Sequence, residues 1–390
     1  MATFLRRFAR PETLKSIKPS RLIQFLQPHQ AYLASRGLQL PAVAKAVGFD
    51  HQALIDILMS PDPKTPNDLI DALYYVDEMS APEALDGNLE AAREKGVTLD
   101  DAPDQSPADV AVQIWLLDRE LLERQHAERS MLRVRSFEYF QTDRTTPPQF
   151  KPPSAKQVQP LEQGLDDWFA DRKRGRGARV FVFPKPDGVW FLVRHGEPVK
   201  REESIADNAS TSSVCYRPVK YDVLVYQPKI GELRINAQSK GVKDLYRRQF
   251  GRHLFGDENF FPGVAKFNLE PLRKSGPASL ACADIAGIEW VVLKQVELFW
   301  GGSEHEVEVR RADDVFAALE ERGESLPGKP RITQAVFLIK FADSKRPRSV
   351  RIKPSNVAQY TRDGDADRLE QWFLRRGFVV ANAGKEYEAA

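Results

Sequence analysis

The feature that most constrains the fold is a change in apolar period across a proline-rich stretch, Thr145 to Pro160. Before it, Leu54, Ile57 and Leu58, then Leu69, Ile70 and Leu73, then Val112, Trp115 and Leu116, recur at three and four, which lines one face of a helix. Arg119 to Leu122 continues the pattern, Pro61, Pro63 and Pro66 punctuate it, and Asp100 to Pro107 separates its later part. After the stretch the period shortens to that of strands. Val180 to Phe183 and Val189 to Val193 flank Pro184 to Gly188, a hairpin turning on Pro-Asp-Gly. The five prolines between, set among Gln, Lys and Ser, read as an extended spacer.

Three segments then repeat one plan of two strands and an amphipathic helix. Tyr221 to Tyr226 and Leu233 to Ala237 lead to a helix near Val242 to Phe255. Ile288 to Phe299 and Glu304 to Arg310 lead to Asp313 to Arg322, and Ile332 to Phe341 and Ser349 to Lys353 lead to Asp365 to Arg376. Gly323 and Gly377 stand where the last two helices must stop. The expected class is α+β: a helical N-terminal domain followed by a mixed, largely antiparallel sheet built from hairpin-then-helix units. The expected boundaries are 1–140 for the helical domain, 141–165 for a proline-rich linker, 166–280 for a basic α+β domain with hairpin 221–240, and 281–390 for a C-terminal α+β domain.

Charge adds a second division. The net +2 conceals +7 over residues 1–49, −14 over 50–128 and +9 over the remainder. An acidic lobe between basic ones suits a protein partner, self-association, or occupancy of the chain's own basic groove as a lid. No run of 18 apolar residues exists, and Met1 to Arg10 lacks the apolar core of a secretion signal, so the expectation is a cytoplasmic protein with no membrane partner. Cys215 and Cys282 stand far apart with no Cys or His at metal spacing. The six histidines, His29, His51, His126, His195, His253 and His305, are scattered in the same way, and no phosphate-cradling glycine loop follows an apolar strand.

Basic residues gather in three places. Arg172, Lys173, Arg174, Arg176 and Arg179 form a glycine-spaced run suited to following phosphates. Lys243, Arg247, Arg248 and Arg252 recur on one helical face beside Tyr246 and Phe250, the aromatic interleaving that single-strand binders use. Lys345, Arg346 and Arg348 occupy a hairpin tip, with Arg351 and Lys353 on its return strand, and such a ribbon can enter a groove. A helix-turn-helix-like stretch, Leu40 to Leu58, has Gly48 for the reversal and Asp50 as N-cap. Its second helix offers no Lys or Arg and carries Asp56, which repels phosphates. The reading is nucleic-acid binding through the basic half, with a protein contact through the acidic half.

A catalytic alternative rests on the hairpin folded about Gly231. Asp222 opens one strand, Gln238 closes the other, and Lys240 lies just beyond, with the two strands expected to set Asp222 and Gln238 on one face. An Asp facing Gln-x-Lys resembles a degenerate PD-(D/E)xK nuclease core. The resemblance implies a magnesium ion on Asp222 and Gln238, with Lys240 near the scissile phosphate and Glu202 or Glu203 as a second carboxylate. It departs from the family in having Tyr221 before Asp222, where the pattern has Pro, and Gln238 in place of the second acid. Outside that alternative the sequence implies no cofactor, and a scaffold without a nucleic-acid partner is the third reading.

Overall fold

The helical period of the first third becomes a set of short helices, each started by a local signal. The computed structural model describes residues 5–43, 49–62, 64–100, 105–132, 134–144, 146–205, 210–262, 265–354, 356–361 and 366–380, and the chain divides into two units, Met1–Leu132 and Arg133–Ala390. The first unit contains α1 (Pro11–Lys15), α2 (Pro19–Leu26), α3 (Gln30–Ser35), α4 (His51–Met59), α5 (Asn67–Met79), α6 (Leu85–Glu94), α7 (Pro107–Leu117) and α8 (Arg119–Leu132). Proline opens α1, α2 and α7, where the missing N–H costs nothing. Asp50 caps α4 by accepting from the Ala53 amide at 3.0 Å, and Leu54 and Ile57 are buried, as the sequence suggests. Residues 44–48 of the helix-turn-helix-like stretch, Gly48 among them, lie outside the described residues. The core joins Ile23, Leu54, Val76, Ile114 and Leu122. Arg21 is buried at the edge of this core, and its charge is compensated by ion pairs with exposed Asp100 and buried Asp109.

The second unit is built on β1 (Ser136–Gln141), α9 (Ala155–Asp171), β2 (Arg179–Lys185), β3 (Gly188–Gly196), β4 (Lys200–Ile205), β5 (Thr211–Tyr216), β6 (Val219–Gln227), β7 (Glu232–Asn236) and α10 (Lys240–Phe255). It continues with α11 (Glu270–Lys274), β8 (Ile288–Gly301), β9 (Glu306–Arg311), α12 (Val315–Glu321), β10 (Arg331–Phe341), β11 (Arg348–Lys353), β12 (Val357–Gln359) and α13 (Ala366–Arg375). Ten strands form one sheet in the order β2-β3-β6-β7-β1-β12-β11-β10-β8-β9, and β4 and β5 pair separately. The named strands pair with one another antiparallel. The fold is therefore α+β. Two of the hairpin-then-helix units are present as expected and the third has β12 between its hairpin and α13, while Gly323 (φ +65°) and Gly377 (φ +73°) adopt the left-handed conformation that ends their helices.

Two stretches differ from the sequence reading. The helical pattern was expected to continue to Phe140, yet Ser136–Gln141 is the middle strand of the sheet, pairing with β7 on one edge and β12 on the other. Its alternation of Phe137 and Tyr139 with Glu138 and Phe140 is a strand period too short to outweigh the helical run before it. The spacer was expected to be extended through Pro160, but Ala155–Asp171 is a helix, opened by a Ser154–Gln157 capping box and containing Pro160. Val158, Leu161, Leu165 and Phe169 recur at three and four and are buried, and this apolar face outweighs the one hydrogen bond that proline forfeits. Because β1 joins the two groups of strands, the strands on either side of residue 280 share one sheet.

The helices change sides at β1. On one face, α9 and α10 cover Phe191, Val193, Leu224, Tyr226, Leu233 and Ile235, with Phe140 of β1 in the same cluster. Beyond β1, Trp372 of α13 packs on Phe337 of β10, and Val350 and Ile352 of β11 are buried on that opposite side. Ser349, Arg351 and Lys353 alternate with these two and are exposed, so the α10 side of β11 is open.

The β6–β7 turn depends on Gly231, whose φ is +61° and at which an added Cβ would lie 2.5 Å from Thr142 Cγ2 and 3.1 Å from Pro147 Cγ. Gly231→Ala is expected to destabilise the protein by about 2 kcal/mol, combining left-handed strain with a clash against a buried threonine. Urea unfolding measures it, and a change below about 0.5 kcal/mol would show that the turn relaxes freely.

Candidate nucleic-acid interface

The register places Arg351 and Lys353 of one basic run on the sheet face that α10 borders, and Arg348, which pairs with Ile339 and lies over the Phe341 ring, on the opposite face. Ser136, Gln359, Arg351, Val336, Gln295 and Arg311 lie in one row across six strands, from β1 to β9. In the next row Val357 pairs with both Glu138 and Lys353. The side chains of directly paired residues share a face, so Arg351, Lys353, Gln359 and Glu138 all point to the same side. Lys243 of α10 donates to Glu138 Oε2 at 2.8 Å. With strands about 4.8 Å apart, Glu138 and Lys353 are about 10 Å from each other. The edge of α10 thus walls an open floor formed by β12, β11 and β10. Farther along the floor Trp290, at 39% exposure, pairs with Lys340, and on β9 Val307 and Val309 are each 51% exposed.

Some other members of these runs have local partners, and others are exposed. Arg247 donates to the Phe261 carbonyl at 3.0 Å and lies 3.7 Å from Asp244; Arg252 is paired with Glu258, and Arg248 is exposed. Lys345 and Arg346 are exposed at the β10–β11 tip. The run from Arg172 to Arg179 lies elsewhere, at the end of α9 and the start of β2, the outermost strand of the sheet. Arg172 stacks on Trp168 at 3.7 Å, Arg176 pairs with Asp167 at 2.8 Å, and Arg174 lies over Phe169. Arg179 donates to the Ala178 carbonyl at 2.7 Å, while Lys173 is exposed with φ +61°. The structure does not bring this run to the open floor.

A cleft of about 290 Å³ opens where β1, β11 and β12 converge, lined by Arg135, Arg348 and Arg351 together with Ser349, Gln359 and Thr361 and the adjoining Tyr360. Arg348 and Arg351 belong to the ribbon singled out in the sequence. Arg135, Gln359 and Thr361 do not, and no local pattern marks them, because they meet only through the β1–β12 pairing of residues far apart in the chain.

The Asp222 hairpin is arranged differently from the nuclease expectation. Val223 pairs with Asn236 and Gln227 with Glu232, so the turn holds four residues, Pro228 to Gly231. This register is one residue away from the pairing that would set Asp222 opposite Gln238, so Gln238, beyond the end of β7, does not share the face of Asp222. Gln238 is exposed and accepts from Lys220 Nζ at 2.5 Å, while Lys240 is the exposed first residue of α10 behind its Ser239 cap. Asp222 is 2% exposed. Its Oδ2 accepts from the Tyr246 hydroxyl at 2.9 Å and lies 3.0 Å from His195 Nε2. His195 Nδ1 faces the Gly196 carbonyl at 2.9 Å, and Phe169 stacks on the ring at 4.3 Å. Glu202 and Glu203 are on β4, in the separate two-stranded sheet. These groups do not fit a divalent ion: the one carboxylate is enclosed and hydrogen-bonded, and no group of three His, Cys, Asp or Glu among the described residues could hold a metal.

A second buried cluster escaped the sequence reading. Glu232 is fully buried and accepts from Lys266 Nζ at 2.7 Å, Gln141 Nε2 at 2.9 Å and Arg234 Nε at 3.0 Å. Arg234 reaches Glu370 at 3.3 Å, and Tyr360 donates to Glu370 at 2.8 Å. Burial pushes the Glu232 carboxyl up, but Lys266 and Arg234 oppose it and hold its pKa at about 2. Lys266, disfavoured as a cation by burial, is nevertheless raised by Glu232 and Glu370. The cluster ties β7, β1 and the segment before α11 together.

Neither a protein-family model nor a curated protein matches this sequence. No helix among the described residues is long and apolar enough to cross a membrane.

Proposed function

We propose that the chain binds nucleic acid, with the phosphate backbone lying along the open face of β10, β11 and β12 beside α10. The observation that carries this reading is the convergence of Arg351 and Lys353 with Lys243 on one uncovered sheet face. Cations at strand spacing suit a chain of phosphates, and an exposed aromatic, Trp290, offers a stacking surface at the far end of the floor. The α9–β2 run, farther off, would extend a long contact rather than complete this one. The acidic stretch 50–128 of the N-terminal unit would meet a protein partner.

Fluorescence anisotropy with labelled single-stranded and duplex oligonucleotides tests it. Binding should weaken steeply with salt, each neutralised phosphate adding about 0.7 to the slope of log K against log salt for single strands and about 0.9 for duplex. Arg351→Gln and Lys353→Gln should each lower that slope by about 1 and weaken all sequences alike. Binding that ignores salt, or variants that leave the slope unchanged, would refute the assignment.

A further inference from the structure

We infer that β9 is a dimerisation strand, on which a second copy of this chain pairs antiparallel about a two-fold axis at Val309. The inference stands apart from the nucleic-acid reading and does not rest on it.

β9 is the last strand of the ten-stranded sheet, and among the described residues it pairs with β8 alone. Its outward N–H and C=O groups therefore face no strand, the condition that invites another chain to add itself. Val309 stands opposite Glu297, Val307 opposite Phe299 and Arg311 opposite Gln295, so these three side chains share the open face with Arg351. The two valines are half exposed there, at the very edge of the sheet. Glu308 and Arg310 point to the other face, opposite the buried Leu298 and Val296.

The order of charges selects the occupant. Along the strand Glu306 and Glu308 come first, and Arg310 and Arg311 last. A parallel copy in register sets like charges side by side, whereas an antiparallel copy brings the acidic half of one strand to the basic half of the other. A two-fold axis perpendicular to the sheet pairs one residue with itself, so each residue of the strand defines one register. Axes at Glu306, Glu308, Arg310 or Arg311 set a charge against its own copy, and an axis at Val307 sets Glu306 against Glu308. The axis at Val309 alone avoids like pairs. There Val309 meets the same residue of the second copy, and Glu308 meets Arg310 on both sides of the axis. Within one copy Arg310 already lies 2.5 Å from Glu308, so the joined strands carry a square of four alternating charges. Arg311 stands across from Val307, but its guanidinium is drawn back over β8 by Gln295 Oε1, at 2.6 and 2.9 Å, and leaves that valine room.

Charges on an edge strand ordinarily guard it against other strands. Here they guard it against every two-fold register but one. The contact is isologous and closes on itself, so it gives a dimer rather than a filament. Because the axis is perpendicular to the sheet, both copies keep their open faces on the same side. One strand from each copy is a small contact, so the dimer is expected to dissociate in the micromolar range.

Sedimentation velocity of the full-length protein over a concentration series tests the inference, with circular dichroism to confirm that each variant is folded. The expected result is a monomer–dimer equilibrium without larger species. Val309→Lys sets two ammonium groups face to face at the axis and should raise the dissociation constant at least about tenfold, as should Arg310→Glu, which sets acid against acid. Glu308→Arg combined with Arg310→Glu reverses both signs and should recover most of the loss. A role for Arg310 confined to its own chain, where it also lies 3.5 Å from Glu324, would give no such recovery. Disulfides read the register. In a background of Cys215→Ser and Cys282→Ser, Val309→Cys should form a linked dimer on mild oxidation, whereas Val307→Cys, with its two copies about 14 Å apart, should not. A protein that stays monomeric at every concentration would overturn the inference. So would association that Val309→Lys leaves unchanged, growth into open-ended species, or linkage through Val307→Cys in preference to Val309→Cys.

Discussion

Lys266→Met is expected to lower the unfolding free energy by about 3–5 kcal/mol, because it leaves Glu232 charged in the core without its closest cation. Glu232 has no solvent exposure, and its Oε2 accepts from both Lys266 Nζ and Gln141 Nε2. Methionine preserves the length of the side chain and its packing on the Tyr139 ring, which Lys266 Nζ approaches to 4.2 Å, so the loss is mainly electrostatic. The double variant Lys266→Met with Glu232→Gln should be less destabilised than Lys266→Met alone, since a well-packed neutral pair often replaces a buried ion pair at little cost. The pH dependence follows from the pKa of about 2 that Glu232 has in the folded protein, against an ordinary 4.5. A depressed carboxyl contributes stability that is present above about pH 4.5 and is lost as pH falls through about 2. In Lys266→Met burial acts on Glu232 with less opposition, its pKa rises, and the loss of stability on acidification should shrink. Urea unfolding between pH 2 and 7 follows both effects; equal stabilities for single variant and wild type would show that Arg234 alone satisfies the carboxylate.

The parts of the fold that were legible in the sequence are those written locally. Asp50 before α4, Gly323 and Gly377 after α12 and α13, and the alternation of Arg351 and Lys353 with Val350 and Ile352 each act within one turn or one strand. The sheet's central strand was not legible. Ser136–Gln141 earns its place by pairing with β7 and β12, both remote in sequence, and its six residues follow a long helical pattern. The same remoteness hides Arg135 and Thr361 from any motif, so only half of the cleft could be anticipated. At α9 the proline content of the preceding segment masked an apolar face that begins at Val158. The Asp222 hairpin shows a different limit: its strands and turn were recognisable, but the register is one residue away from pairing Asp222 with Gln238, and one residue reverses which side chains share a face.

That one-residue shift gives Asp222→Ala a specific expected outcome: the loss of roughly 3 kcal/mol of stability, in the absence of any ligand or metal. The carboxylate is the acceptor for Tyr246 on α10 and the partner of His195 on β3, on whose imidazole Phe169 of α9 stacks. Truncation leaves two buried polar groups without their acceptor and a void between sheet and helices. The gap is too enclosed for both groups to be rehydrated freely, since Tyr246 is fully buried and His195 is 2% exposed. Tyr246→Phe removes one donor and keeps the ring, so it should cost only about 1–2 kcal/mol. Because both substitutions break the same hydrogen bond, the double variant should be more stable than the sum of the two losses implies, by about 1 kcal/mol. Thermal and urea unfolding of the three variants, with magnesium and without, decide between a structural and a metal-holding carboxylate. A carboxylate that holds the core together lowers stability equally in both conditions. If instead Asp222→Ala left stability within about 0.5 kcal/mol of wild type while removing a magnesium-dependent stabilisation, the buried polar cluster would have to be redrawn as a metal site.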